Sequence, residues 1–283
     1  DLTYFPLKHL GYKCVTAVTG ELYAEMSHPR TMDIRLGISS KLDFKHIKEV
    51  WEGIVAAAKE HGYGQVTLDL VPSPNGLAVS VSCIGETAHL MAKRRPAAKS
   101  MDLICISDNI GAAFMGFQVL EREKRAFEKS GDAVAQPKLD DYKNLIGAYL
   151  KPQINSRIIS QLEETEIMPS YGYLVTRGLA DAVRRLVRDS GLGAKIYVDK
   201  LPFAGKTFEL GRELNIDPIS AALNGGEDYR LLFTIPIGKH EKFRHDFQTF
   251  DIIGHLAKPE VGAVAVTPDG VELPLKAQGW KNE

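Results

Sequence analysis

The residues best placed to do chemistry fall at three points in the chain. Asn224-Gly225-Gly226-Glu227-Asp228-Tyr229 is a double-glycine turn that delivers two adjacent carboxylates to the mouth of an apolar run. Bare glycine backbone lets an acid and the main chain approach a ligand closely. The same pattern also reads as a tight turn with solvated acids. Asp69 is an isolated acid inside the apolar run from Val66 to Val71, either a metal ligand or the solvent-facing member of an alternating strand. Arg95, beside Lys93 and Arg94, has a planar fork that could clamp phosphate, or it belongs to a solvated charge cluster. Other chemistries are excluded. Gly205-Lys206-Thr207 ends like a P-loop, but Lys200 occupies the place where that loop needs its first glycine. The eight histidines show no H-E-x-x-H spacing, and no G-x-S-x-G elbow occurs. No residue is assigned as a catalytic nucleophile or acid–base group.

These groups need elements to hold them. Phe44, Ile47, Val50, Trp51, Ile54 and Val55 recur at helical spacing between an N-cap, Asp43, and a terminating glycine, Gly62. Two β-rich runs follow, 66–71 and 77–83, joined by the Pro72 to Gly76 turn, and together they predict a helix packed on an antiparallel hairpin. The basic, proline-containing stretch Lys93 to Lys99 breaks the pattern, and the domain boundary is placed there. Beyond it the sequence predicts a strand over 102–107, a helix from Gly111 to Lys129 and an exposed connection from Ser130 to Asp141. Helices near 142–149, 153–164 and 177–190 follow, with strands at 196–199, 229–236, 251–257 and 263–267 and a turn at Pro268-Asp269-Gly270. The mixture indicates an α+β or mixed α/β fold.

Composition narrows the function. The 283 residues are 44% hydrophobic and 25% charged, which is ordinary for a globular chain with one or two cores. With 35 basic against 36 acidic residues, no global field draws in nucleic acid or an anionic membrane, so an anionic ligand must be held locally. Cys14, Cys83 and Cys105 are widely spaced and unpaired in sequence, which indicates reduced thiols in the cytoplasm. No apolar run reaches the roughly 18 residues of a membrane span, and Asp1 to Leu10 do not form a secretory signal. The chain opens without methionine and is expected to be a fragment or a processed product.

Taken in order, these segments resemble the thiamine-monophosphate kinase family, within the group of ATP-binding proteins related to aminoimidazole ribonucleotide synthetase. The resemblance rests on Asp1 to Gly11 (DLTYFPLKHLG), Gly76 to Glu86 (GLAVSVSCIGE), Asp102 to Lys124, Ala221 to Pro236 (AALNGGEDYRLLFTIP) and Lys276 to Trp280 (KAQGW), and spans nearly the whole chain. It implies a two-lobed α+β fold: residues 1–95 as a truncated N-terminal ATP- and metal-binding lobe, and 96–283 as a C-terminal α/β lobe. It also implies a cytoplasmic enzyme that moves the γ-phosphoryl of ATP onto thiamine monophosphate, giving thiamine diphosphate, with Mg2+ neutralising the phosphates. Such transfer chiefly needs alignment and positive charge on the equatorial oxygens. Position by position, Asp69 matches a magnesium ligand beside the nucleotide, Trp51 an aromatic against adenine, Arg95 a nucleotide-contacting arginine, and Thr176 a hydroxyl of the ATP site. Glu227 and Trp280 match residues that contact thiamine phosphate, one by hydrogen bonding and the other by stacking. A homodimer is implied as well, through the N-terminal sheet.

The sequence departs from the family where metal is bound. Val18-Thr19-Gly20-Glu21 stands in place of Asn-Leu-Ser-Asp, leaving Glu21 as the candidate ligand with Asp69. Thr67 and Leu68 replace two glycines. Leu174-Val-Thr-Arg177-Gly-Leu stands in place of Asp-x-Ser-Asp-Gly-Leu, which removes both aspartates and puts a permanent cation where a divalent metal is expected. Asn155 replaces an arginine, and the family's upstream Gly-Asp-Asp-Ala segment has no counterpart. Two alternatives to the kinase follow: a paralogue that binds thiamine phosphate or nucleotide without turnover, and a phosphotransferase of the same superfamily acting on another small molecule.

Overall fold

The computed structural model describes residues 2–87, 95–130 and 139–280. Helix α1 (Leu7–Ala24) follows the extended Pro6, and strand β1 (Ser27–Ile38) leaves it through the left-handed Met26. Met32, Ile34 and Leu36 alternate inward along β1. Helix α2 (Phe44–Glu60) starts at a reciprocal capping box between Asp43 and His46 and stops before Gly62 at φ +75°, as the sequence predicts. Strands β2 (Gln65–Pro72) and β3 (Ala78–Thr87) do not form the expected hairpin. They flank β1 in the order β2-β1-β3, β2 parallel to it and β3 antiparallel, so β1-α2-β2 is a crossover unit. Only the start of β1 departs from regular pairing, at Pro29 and Arg30, and Met32-Asp33-Ile34-Arg35-Leu36 then alternates as a half-buried strand does.

Helices α1 and α2 cover one face of this small sheet, where Tyr12, Val15, Val50 and Ile54 meet Met32, Ile34 and Leu36. The two helices cross backbone to backbone. A Cβ on Gly11 would overlap the Val50 carbonyl, and one on Gly53 would overlap the Lys8 carbonyl, so both positions need glycine.

The second sheet runs β10-β9-β6-β8-β4-β7-β5. Its strands are β4 (Leu103–Ser107), β5 (Gly172–Val175), β6 (Gly193–Tyr197), β7 (Arg230–Ile235), β8 (Phe250–Ala257), β9 (Ala263–Val266) and β10 (Glu272–Pro274). All neighbours are antiparallel except β6 and β9. Alternation assigns Ile104, Ile106 and Leu232 to one face, under α6 (Leu179–Ser190) with its Leu179, Val183 and Leu186. Leu103, Cys105, Leu231 and Phe233 face the other way, against α5 (Ile158–Glu164), α9 (His240–Asp246) and the C-terminal end of α1 at Tyr23 and Ala24. Helix α1 therefore packs on the small sheet with one half and on the large sheet with the other. A further apolar layer joins α3 (Ala112–Ser130), α4 (Lys143–Leu150), α7 (Thr207–Leu214) and α8 (Pro218–Asn224).

The fold is mixed α/β. The expected boundary at residue 95 falls between β3 of the small sheet and β4 of the large one. The Pro268-Asp269-Gly270 turn does join antiparallel strands, with Gly270 N–H donating to the Thr267 carbonyl at 2.8 Å. The helix expected over 153–164 starts only at Ile158, and α1, β1, β5, α7, α8 and α9 were not foreseen. Residues 131–138 of the expected connection, and Lys93 and Arg94 of the basic stretch, lie outside the described residues. The three cysteines are free thiols, Cys105 buried and the other two half-buried. Among the described residues no helix is long and apolar enough to cross a membrane.

Candidate functional site

The double-glycine turn is stitched to the start of α6. Glu227 N–H donates to the Thr176 carbonyl at 2.8 Å and Tyr229 N–H to the Val175 carbonyl at 2.9 Å. Gly226, at φ +78°, passes so near that a Cβ there would stand 2.8 Å from the Thr176 carbonyl oxygen. Glu227 and Tyr229 hold left-handed backbones at φ 63° and 51°, a conformation that costs free energy for side-chain-bearing residues. This backbone sends the two acids in opposite directions. Asp228 turns inward, 2% exposed, and accepts the N–H groups of Gly111 and Ala113 at 2.9 and 3.1 Å, so it caps α3 from a distant segment. Burial pushes its carboxyl up to about 6, against the opposing pull of those two N–H groups and of Arg230. Asp228 is thus a structural cap, and only Glu227 faces a cavity.

Glu227 meets Lys13, which projects from the buried face of α1. The Lys13 ammonium lies 2.5 Å from Glu227 Oε2, donates to the Tyr149 carbonyl at 2.7 Å, and stands 4.0 Å above the Tyr149 ring. Burial draws the Lys13 pKa down, and the Glu227 carboxylate pushes it back up. Lys13, Cys14, Phe5, Tyr149, Glu227 and Tyr229 line a hollow of about 350 Å³.

On the other side of the same turn, Arg177, just ahead of α6, and Asp181 and Arg185, within it, follow one another at four-residue spacing. Asp181, 1% exposed, lies 3.2 Å from Arg177 Nη2 and 3.1 Å from Arg185 Nε, and accepts the Trp280 indole N–H at 2.8 Å. Arg185 also donates to the Leu174 carbonyl at 2.9 Å. The guanidinium groups of Arg184 and Arg188 lie 5.0 and 5.4 Å from the Trp280 ring centre. Trp280 lines its own hollow of about 650 Å³, so it and Glu227 open onto separate cavities rather than one substrate pocket.

Glu21, on α1, feels the Arg185 and Arg177 charges. Although the residue as a whole is exposed, its carboxyl is crowded enough that lost hydration raises its pKa, Arg185 and Arg177 pulling it back and Glu25 adding to the rise. Leu174 is fully buried among Tyr23, Ile154 and Phe233, and its Cδ1 would stand 2.5 Å from a Cβ on Gly20. A leucine side chain therefore fills the space between β5 and α1 where the resemblance implies an aspartate.

The remaining expected residues are scattered. Asp69 projects from the face of the small sheet opposite α1 and α2 and pairs with Arg35 at 2.9 Å, both largely exposed. Glu21 extends from α1 toward α6, so the expected metal pair is not brought together. Trp51 is half-buried against the α1–α2 cluster. Arg95 donates to the Ser170 carbonyl at 2.9 Å and pairs with Glu25 at 3.3 Å, one helical turn beyond Glu21. The Thr176 carbonyl is engaged by the 224–229 turn. Among the described residues no group of three or more His, Cys, Asp or Glu side chains is arranged to hold a metal ion. The present residues therefore do not fit the magnesium cluster that the resemblance implies. A further hollow of about 840 Å³ lies elsewhere, between Asp108, Arg230 and Asp251.

No family model matches the chain. Thiamine-monophosphate kinase from Aquifex aeolicus is 25% identical over 281 residues, which cover 99% of this chain and 82% of that protein. The chain is similar to thiamine-monophosphate kinases over nearly its whole length. The solved structure of AaThiL complexed with AMPPCP and TMP superposes with a TM-score of 0.76 at 21% identity, covering 95% of this chain and 79% of that one. Hydrogenase maturation protein HypE in complex with ATP superposes with a TM-score of 0.72 at 17% identity, covering 98% and 81%, and so shares the fold. Within this kinase-like frame, Lys13, Asp181, Arg185 and the capping role of Asp228 were not anticipated. The Arg177-Asp181-Arg185 spacing and a lysine, Lys13, set between Tyr12 and Cys14 on the apolar side of a helix are the signals that could have found the first three.

Proposed function

We propose that this chain binds ATP and thiamine monophosphate and that its activity is ATP-dependent phosphorylation of thiamine monophosphate to thiamine diphosphate. The observation that carries this reading is alignment from end to end with a thiamine-monophosphate kinase, over 99% of the chain. On this reading Glu227 and Trp280 serve the thiamine phosphate from the two hollows they line, and Trp51, Arg95, Thr176 and Asp69 serve the nucleotide. Division into lobes at residue 95, a homodimer and a cytoplasmic location belong to the same proposal. Mg2+ is the cofactor such transfer ordinarily uses, but Leu174 and Arg177 leave too few carboxylates to hold it, so no step is assigned to a metal here.

A second reading, binding without turnover, is favoured by one observation. The Arg177 guanidinium is paired to the buried Asp181 at the position where the family carries a magnesium-binding aspartate. Incubation with ATP, magnesium and thiamine monophosphate, followed by chromatography, separates the two. Thiamine diphosphate formation supports the kinase; binding by calorimetry without product supports the second reading; neither product nor binding refutes both.

A further inference from the structure

We infer that this site receives the phosphate of its ligand through the Arg177 guanidinium and without a divalent cation. The inference rests on the binding of thiamine monophosphate proposed above and concerns how that binding is achieved.

The two positions where the resemblance implies metal-binding aspartates have been rebuilt in different ways. Leu174 is committed to the apolar layer, 0% exposed and seated against Gly20. A carboxylate could not be recovered there by a side-chain rotation. Arg177 is committed to a charge lattice. Its Nε and Nη2 face the two oxygens of Asp181 at 3.3 and 3.2 Å, so the plane of the fork is fixed by a carboxylate that is itself 1% exposed. Arg185 and the Trp280 indole occupy the other approaches to that carboxylate. Asp181 therefore has no free edge to offer a metal, and two guanidinium groups are already paired with it.

Arg177 still has unused capacity. A guanidinium carries five N–H donors, and Asp181 faces one on Nε and one on Nη2, leaving the second on Nη2 and both on Nη1. The Arg177 side chain is 68% exposed and lies next to the 224–229 turn, where Gly226 would bring a Cβ within 3.4 Å of the Arg177 Cα. A fork held rigid on one side and open to solvent on the other is suited to a phosphate ester, because little side-chain freedom is lost on binding. A magnesium ion brought to this edge would be repelled by the guanidinium.

The test is calorimetric titration of the full chain with thiamine monophosphate, once with EDTA and once with excess magnesium, using wild type, Arg177→Gln and Arg177→Asp, with thermal melting to confirm folding. The expected result is equal affinity in EDTA and magnesium for wild type, and a loss of roughly tenfold or more in both conditions for Arg177→Gln. Arg177→Asp, which restores an acid beside Glu21, should bind weakly in EDTA and regain affinity when magnesium is added. Wild-type binding that requires magnesium would overturn the inference while leaving the proposed function standing, as would Arg177→Gln binding like wild type in EDTA. Absence of binding in both conditions would instead sink the proposed function itself, and this inference with it.

Discussion

Replacing Asp228 by asparagine asks whether burial or a helix terminus governs the inward-facing acid of the 224–229 turn. Asp228 is 2% exposed and holds the Gly111 and Ala113 N–H groups. Burial raises its carboxyl from the ordinary 3.8 to about 6. The folded state then holds the proton more tightly than the unfolded chain. The contribution to stability is therefore greatest below the unfolded pKa, falls as pH rises from about 4 to about 6, and is flat above that. A rise of about two units, at about 1.4 kcal/mol each, amounts to about 3 kcal/mol. Asparagine keeps one acceptor oxygen and has no charge, so Asp228→Asn lacks this slope. Urea unfolding of both proteins across this range removes the titrations they share. The stability of wild type minus that of the variant should fall by about 3 kcal/mol between about pH 4 and pH 6.5. A difference that grows with pH would refute the reasoning, since it would mean that the end of α3 and Arg230 favour the ionised form by more than burial penalises it.

Three further outcomes are expected. Leu174→Asp should cost about 3–5 kcal/mol in urea unfolding, because it removes a fully buried side chain and puts a carboxyl in its place; an unchanged midpoint would refute the packing account. Glu227→Gln leaves the Lys13 ammonium buried without its counter-charge and should lower stability by about 1–3 kcal/mol by thermal denaturation, with part of the loss screened because Glu227 is half-exposed. Trp280→Ala should weaken thiamine monophosphate binding about tenfold by calorimetry, and unchanged affinity would remove Trp280 from the site.

Helix α2 was legible in sequence because its apolar spacing, Asp43 cap and Gly62 stop all agree. The hairpin was misread because Pro72 to Gly76 signals a reversal of direction but not which strand lies between the two it joins. β1 carried that information, in the Met32-Asp33-Ile34-Arg35-Leu36 alternation that was readable and passed over. In the site, Glu227 and Asp228 look equivalent in sequence; only the left-handed backbone at Glu227 separates a cavity-facing acid from a helix cap. The Arg177-Asp181-Arg185 spacing was readable as a helical charge ladder. Its junction with Trp280, 99 residues away, depends on how the chain end returns to α6 and has no local signature.

The glycine-mediated contact between α1 and α2 has a mechanical result. Two helices whose main chains touch cannot slide past one another without steric collision, so they move as one body. Lys13 and Glu21 ride on the first helix and Trp51 on the second. A displacement imposed on the first two by an arriving ligand is therefore carried to the Trp51 indole, whose fluorescence reads events at the far end of α1 once the other tryptophan, Trp280, is replaced.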